Sequence, residues 1–417
     1  MSNWVSQVYK KKSVFAKNSF SALISKVAVT AVALSMLVML LSFSVLRGFK
    51  GLVKEKMAGF SGHIQVLSAK SAINYEYEPY LVADSQLSKI AKTKGVKNVF
   101  PIIQKAGIAK STSDLEGLVL KGLAQHYDSL FYKSILRSGR LPRPDENGRS
   151  NEVVVSIGTA KKLQLKLGDK LKVFFFKENE AKGFAPQVVG IYKTGAEEYD
   201  KLFALCSYKD LVSNVIPRQL YKTALREGQT AVTHLEVKVD DFNKLQEVSN
   251  SLNDNLPYTM RTETIMNLQS QVFDWLGYLD KNIQIILLLM ALVASINMVT
   301  AILILIVDNT RLIGLLQSLG ASHKNIVRLF VQMSVNIIGM GMLIANGLAL
   351  TLIYLQSKYR FITLDETNYY TSYVPVDLQF TDLLFVNIGT LVICILVILL
   401  PAQYIARITP VKALAFR

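Results

Sequence analysis

Apolar residues gather in four long blocks, Val27–Leu46, Ile283–Val307, Ile326–Leu355 and Leu383–Ile405, none interrupted by Asp, Glu or Lys. Arg328 stands only at the edge of the third. A bilayer core about 30 Å thick is crossed by roughly 20 such residues in helical form. Helices buried in soluble cores are shorter and keep a polar stripe, so the blocks predict four transmembrane helices. From about Gly48 to Asp280 the pattern changes to short apolar runs set among Lys, Asp, Glu and turn residues. That stretch predicts a separate mixed α+β domain with its own core, arranged as two small lobes.

Within it, strands are expected at Ile64–Leu67, Leu118–Lys121, Val153–Ser156, Leu171–Phe176, Val188–Tyr192 and Leu235–Val239. Helical stretches are expected near Thr159–Leu167 and Phe242–Asn253, with the middle part inserted into a lobe built from both ends. The fold class is therefore an α-helical membrane protein with four transmembrane helices plus a mixed α+β extracytoplasmic domain of two lobes.

Charge sets the orientation. Lys10, Lys11, Lys12, Lys17 and Lys26 precede the first span, Arg311, Lys324 and Arg328 follow the second, and Arg407, Lys412 and Arg417 follow the fourth. Short Lys/Arg-rich loops stay in the cytoplasm, whereas large domains are exempt from that count. The expected organisation is a cytoplasmic basic segment 1–26, spans at 27–47, 281–307, 326–355 and 383–406, and a periplasmic domain 48–280. A cytoplasmic helix at 308–325, a periplasmic loop 356–382 and a cytoplasmic tail 407–417 complete it. The first apolar run is too long for a cleaved leader and lacks a clear cleavage site, Ser42-Phe43-Ser44 being the nearest, so a retained anchor is expected.

The remaining composition changes this picture little. The formal charge of +16 does not indicate nucleic acid, because acidic residues alternate with Lys and no Arg–aromatic clusters occur. Cys206 and Cys394 fall in different regions and form no expected disulfide or metal site. Tyr354, Tyr359, Tyr369, Tyr370 and Tyr373 read as an interfacial aromatic belt. In the third span, Gly341 and Ala345 form a small-xxx-small pair, and Asn336 and Asn346 can bond across helices, within the subunit or at a dimer seam. Pro401 is expected to kink the fourth span or end its regular part. The absence of ionisable groups at mid-span argues against a proton- or ion-coupled carrier.

The most informative segment is short. Leu312, Leu315, Leu316 and Leu319 recur at helical spacing, Gly320 suits the left-handed residue that ends a helix, and Ser322 can N-cap the third span. A helix joined tightly to two spans serves either as a lever for a partner's motion or as a connector lying on the membrane surface. Asp308-Asn-Thr-Arg-Leu-Ile-Gly-Leu-Leu-Gln-Ser-Leu-Gly-Ala-Ser322 resembles the ERTxxIGxLKALGAS signature of the FtsX/MacB/LolC–LolE superfamily of ABC transporter permeases. Thr310, Ile313, Gly314, Leu319, Gly320, Ala321 and Ser322 match it, while Asp308, Asn309 and Gln317 stand where Glu, Arg and Lys are usual. Further similarity runs through Arg47-Gly-Phe49, Gly62–Val66, Gly139–Pro142, Glu152–Val155, Leu167–Asp169, Val189–Gly195, Pro375–Leu378 and Arg407–Pro410. These patterns are closest to the lipoprotein-releasing LolC/LolE branch.

The resemblance implies a permease subunit that is not itself an enzyme and binds no cofactor directly. ATP and Mg would sit on a separate ABC-type ATPase, docked on Thr310, Arg311, Leu312, Ile313, Gly314, Leu315, Leu316, Leu319 and Gly320. It implies a second permease copy, lipoprotein cargo, a periplasmic lipoprotein carrier and contact with membrane lipid. Met36, Leu40, Phe43, Ile286, Met290 and Val293 are candidates to line an apolar cargo cavity, although any lipid-facing helix carries such residues. Phe176, Lys177, Phe184 and Pro186 are candidates to touch the carrier, the alternative being a plain hairpin turn. A MacB-like exporter and an FtsX-like activator of a wall hydrolase remain as rival readings. No nucleotide-binding loop is seen: Gly117 and Gly122 have the right separation, but Leu123 follows where Lys is required.

Overall fold

The computed structural model describes residues 20–71, 77–111, 114–124, 127, 129–177 and 180–405. The expected basic segment up to residue 19 and the tail beyond residue 405 lie outside this range. The chain divides into two compact units. One comprises the chain up to Gly51, Trp275–Thr363 and the chain from Tyr373; the other comprises Leu52–Asp274 and Leu364–Ser372.

Five helices concern the first unit: α1 (Phe20–Ser61), α2 (Ser270–Asp308), α3 (Thr310–Ser318), α4 (His323–Tyr359) and α5 (Phe380–Ile405). Four of them are long and apolar enough to cross a membrane. Leu288, Leu289, Leu292, Leu343, Leu348, Phe385 and Leu396 are exposed on them, which water would not tolerate and lipid requires. At 1.5 Å per residue the 42 residues of α1 extend about 63 Å, twice the hydrocarbon thickness. The expected boundary near residue 47 marked the end of the apolar block, not of the helix, because Gly48–Ser61 stays helical through Lys50, Lys54, Glu55 and Lys56. Likewise α2 begins at Ser270, before its apolar block. The α5 helix continues through Pro401 to Ile405.

The small residues of α4 pack within the subunit. A Cβ on Gly341 would lie 2.9 Å from Val32 Cγ1 on α1, and Ala345 and Ala349 share a buried cluster with Met36 and Leu40. Asn346 and Asn387 exchange amide hydrogen bonds of 2.8 and 3.1 Å between α4 and α5, whereas Asn336 is exposed. Arg47 places Nη1 2.7 Å from both carboxylate oxygens of Asp382 in the first turn of α5.

The second unit is built on strands β1 (Ile64–Ser68), β2 (Tyr80–Ala83), β3 (Val96–Lys110), β4 (Leu115–Leu123), β5 (Leu136–Gly139), β6 (Glu152–Ser156) and β7 (Lys172–Lys177). They continue with β8 (Glu180–Phe184), β9 (Gln187–Tyr192), β10 (Phe203–Ser207), β11 (Gln229–Val232), β12 (His234–Val239) and β13 (Met260–Thr264). Eleven of the described strands form one sheet in the order β13-β1-β12-β3-β4-β10-β6-β9-β5, with β7 on β3 and β8 on β7. The first half of β3 pairs with β12 and its second half with β4, so this 15-residue strand is shared by the end-built and middle parts. Ile103, Leu120, Val153, Val173, Val188 and Leu211 are among the side chains of the middle part's core.

The helix expected at Thr159–Leu167 occupies Ile157–Lys162, and that expected at Phe242–Asn253 is a 3₁₀ turn followed by Leu245–Asn255. Of the five tyrosines expected in a belt, Tyr354, Tyr359 and Tyr369 are exposed. Tyr370 instead donates its hydroxyl to Glu198 at 3.2 Å, and the Arg360 guanidinium lies 4.2 Å over the Tyr373 ring. Segment Leu364–Ser372 belongs to the second unit, where Glu366 accepts from Arg137 at 3.1 Å and Lys193 at 2.6 Å.

Candidate functional site

The α3 helix follows α2 after one residue, Asn309, whose amide bonds back to the Leu305 carbonyl at 2.8 Å. The Thr310 hydroxyl bonds back to the Ile306 and Val307 carbonyls at 3.1 and 2.7 Å. At the far end, Ala321 N–H reaches the Leu316 carbonyl at 2.9 Å and Gly320 N–H the Gln317 carbonyl at 3.0 Å. Gly320 has φ 83°, as the expected left-handed stop requires. Ser322 occupies the N-cap of α4, but its hydroxyl makes no capping bond. Its carbonyl alone accepts from Asn325 and Ile326.

The leucine stripe read from spacing divides. Ile313 and Leu316, 1 % and 9 % exposed, enter a cluster with Ala28 of α1, Met298 and Leu305 of α2, Phe330 of α4 and Cys394 of α5. Gly314 is also buried. Leu315 and Leu319 are 52 % and 59 % exposed on the other side, and Gly320 is exposed. The side chains of Arg311 and Leu312 lie outside the described residues. The helix is thus seated by Ile313 and Leu316 in a core to which all four spans contribute, and among the described residues it presents two leucines left exposed.

An apolar cavity of about 140 Å³ lies among α1, α2 and α5, lined by Met39, Phe43, Leu287, Ala291, Phe385 and Thr390 among others. Of the six residues proposed to line a cavity, it includes Phe43. Met36 and Leu40 are fully buried against α4, Met290 packs on the same cluster, Ile286 is half-buried and Val293 is exposed. Sequence reasoning missed the α5 wall. Its signal is Gly389-Thr390, a gap and a hydroxyl inside an otherwise bulky apolar run. The Thr390 hydroxyl is buried without a hydrogen-bond partner among the described residues.

Much of the segment Lys177–Pro186 is strand: β7 and β8 pair from Val173↔Phe184 to Lys177↔Glu180. Phe176 is 54 % exposed. Phe184 is buried against Phe175, with ring centroids 6.5 Å apart, and Pro186 is buried and accepts the Leu171 N–H at 2.9 Å. The Lys177 side chain is not described. The hairpin therefore brings Phe176 to the surface and uses Phe184 and Pro186 to hold its base.

Two family models match this chain, "MacB-like periplasmic core domain" over residues 25–255 and "FtsX-like permease C-terminal" over residues 284–410. The chain belongs to the FtsX/MacB-type permease family. This permease is 23 % identical to the lipoprotein-releasing system transmembrane protein LolE of Haemophilus influenzae, with 96 % of each chain covered. It is 24 % identical to the corresponding LolC of Xylella fastidiosa, over 96 % of this chain and 95 % of that one. Among solved structures, the periplasmic region of MacB from Actinobacillus actinomycetemcomitans aligns at 14 % identity and a TM-score of 0.35. That alignment covers 51 % of this permease and 92 % of that chain. Members of the family are permease subunits of ABC transporters and work with an ABC ATPase.

Proposed function

We propose that this permease extracts lipoproteins from the outer leaflet of the bacterial inner membrane and passes them to a periplasmic carrier. The observation that carries the reading is the end-to-end similarity to LolE and LolC, which are named for lipoprotein release. Both termini and α3 face the cytoplasm, and the strand-rich unit faces the periplasm. Two permease copies pair with two copies of the ATPase, which meets Leu315 and Leu319 of α3. ATP-driven closure pushes α3, and α1 and α2 carry the motion outward because each continues as helix beyond its apolar block. The energy source is needed because each acyl CH₂ in lipid contributes about 0.8 kcal/mol, so cargo with several chains does not leave unaided. The apolar cavity walled by Phe43 and Phe385 suits an acyl chain, and the exposed Phe176 ring suits a carrier.

Charged substitution at Gly314 or Leu316 would break the seat of α3 as well as its docking, since both are buried. Leu315→Asp with Leu319→Asp is the cleaner test: lipoprotein release should fail while the permease accumulates normally. Undiminished release would contradict the proposal. The match to the MacB-like periplasmic core favours one second reading, an exporter of small molecules or peptides; dependence on an adaptor protein would identify it.

A further inference from the structure

The last turn of α1 is built for close approach. A Cβ on Gly59 would lie 2.4 Å from the Phe131 ring, and one on Gly62, at φ 74°, would lie 2.9 Å from Glu236 Cβ. Between them Phe60 is fully buried, its ring stacked on Tyr199 at 4.4 Å and edge-on to Phe203 at 5.2 Å. The Ser61 hydroxyl donates to that of Tyr199 at 3.0 Å. The Phe60 carbonyl is one of the four C-terminal acceptors that a helix leaves without an internal partner. Here it accepts from the Lys121 ammonium and, at 3.2 Å, from the Tyr132 hydroxyl.

Lys121 on β4 and Glu236 on β12 are each 1 % exposed, and their charged atoms are 2.6 Å apart. Glu236 also accepts from the Tyr127 hydroxyl and lies 3.4 Å from His234 Nε2. Burial alone would raise the Glu236 carboxyl, but the Lys121 ammonium and the His234 ring together outweigh that and hold it at about 2. Burial pulls the Lys121 ammonium and the His234 ring downward. A buried ion pair is often replaceable by apolar residues at no loss of stability, so stability is a poor reason for its presence. Its geometry supplies another: the pair joins strands on opposite sides of β3 and directs a cation at a helix C-terminus, where the helix dipole favours one.

We propose that Lys121, held by Glu236, is a positioning residue that fastens the end of α1 to the sheet, so that movement of α1 is delivered to β4 and β12. The fastening stands on its own geometry; its use in release rests on the proposed function. The test uses the full-length protein with Lys121→Met and Glu236→Leu together, which removes both charges and keeps apolar bulk. Amide hydrogen exchange should quicken by about tenfold or more at Met57–Ser61, as expected for losing a charged hydrogen bond, while β4 and β12 keep their protection. Unchanged exchange at Met57–Ser61, or an equal rise across both strands, overturns the fastening. Tyr132→Phe, which removes only the second donor, should give a smaller rise confined to the same turn. No rise there also overturns it, even if the double variant fails to fold. ATP-driven release by the double variant should fall with the loss of helix-end protection; release at the wild-type rate despite that loss overturns the positioning role alone.

Discussion

Leu315 and Leu319 offer the sharpest perturbation, because they are exposed where their neighbours Ile313 and Leu316 are not. Full burial of a leucine side chain contributes about 1.5–3 kcal/mol. With 52 % and 59 % of their surface still open, the two together retain about 2–3 kcal/mol to gain on docking, or roughly 30- to 150-fold in affinity. Leu315→Asp/Leu319→Asp should therefore weaken binding of the purified ATPase by at least that factor, since burying carboxylates adds its own penalty. The assay is a titration of solubilised permease with ATPase, alongside thermal unfolding of the permease alone. The unfolding midpoint should stay near wild type, because neither side chain belongs to the core. Affinity within threefold of wild type would refute the assignment of this face to docking.

Three further outcomes follow from local geometry. Burial, with Lys238 and Lys97 nearby, draws the His63 ring down to about 4, and its Nδ1 accepts the Val239 N–H at 2.9 Å. The unfolded chain thus takes up that proton at higher pH, so the contribution is complete above about 6.5 and is lost as pH falls toward 4, by up to about 3 kcal/mol. His63→Asn, which can keep an acceptor without titrating, should flatten the unfolding midpoint over that window. Gly341→Val should destabilise the protein by about 1–3 kcal/mol through overpacking against Val32, read as a lower thermal midpoint, whereas Gly339→Val, with nothing within 4 Å of its Cβ among the described residues, should not. A double-mutant cycle on Asn346 and Asn387, each changed to Leu and read by unfolding in detergent, should return a coupling of about 0.6 kcal/mol.

The spans were legible because lipid demands long apolar runs, and the family because Thr310–Ser322 carries a dense local signature. Helix ends were not: hydropathy reports the surrounding solvent, so the turns Gly48–Ser61 and Ser270–Asp280, which mix charged with apolar residues, fall to the domain by sequence although the backbone stays helical. The strand Glu180–Phe184 carries no β-branched residue and exists because β7 pairs with it. The long β3 was hidden by Lys97, Asn98 and Pro101. On α3 spacing identified a helix, but the buried face belongs to Ile313 and Leu316, since neighbouring spans, not periodicity, decide which side is covered. The fastening of Phe60 was illegible because its partners lie 61 and 115 positions apart in pairs, Phe60 with Lys121 and Lys121 with Glu236.

The central claim is best tested by depleting this permease and fractionating inner and outer membranes for mature lipoproteins. The account predicts that lipoproteins accumulate in the inner membrane and return to the outer membrane when the wild-type chain is restored. Normal lipoprotein sorting after full depletion would contradict the releasing function, leaving the family assignment in place.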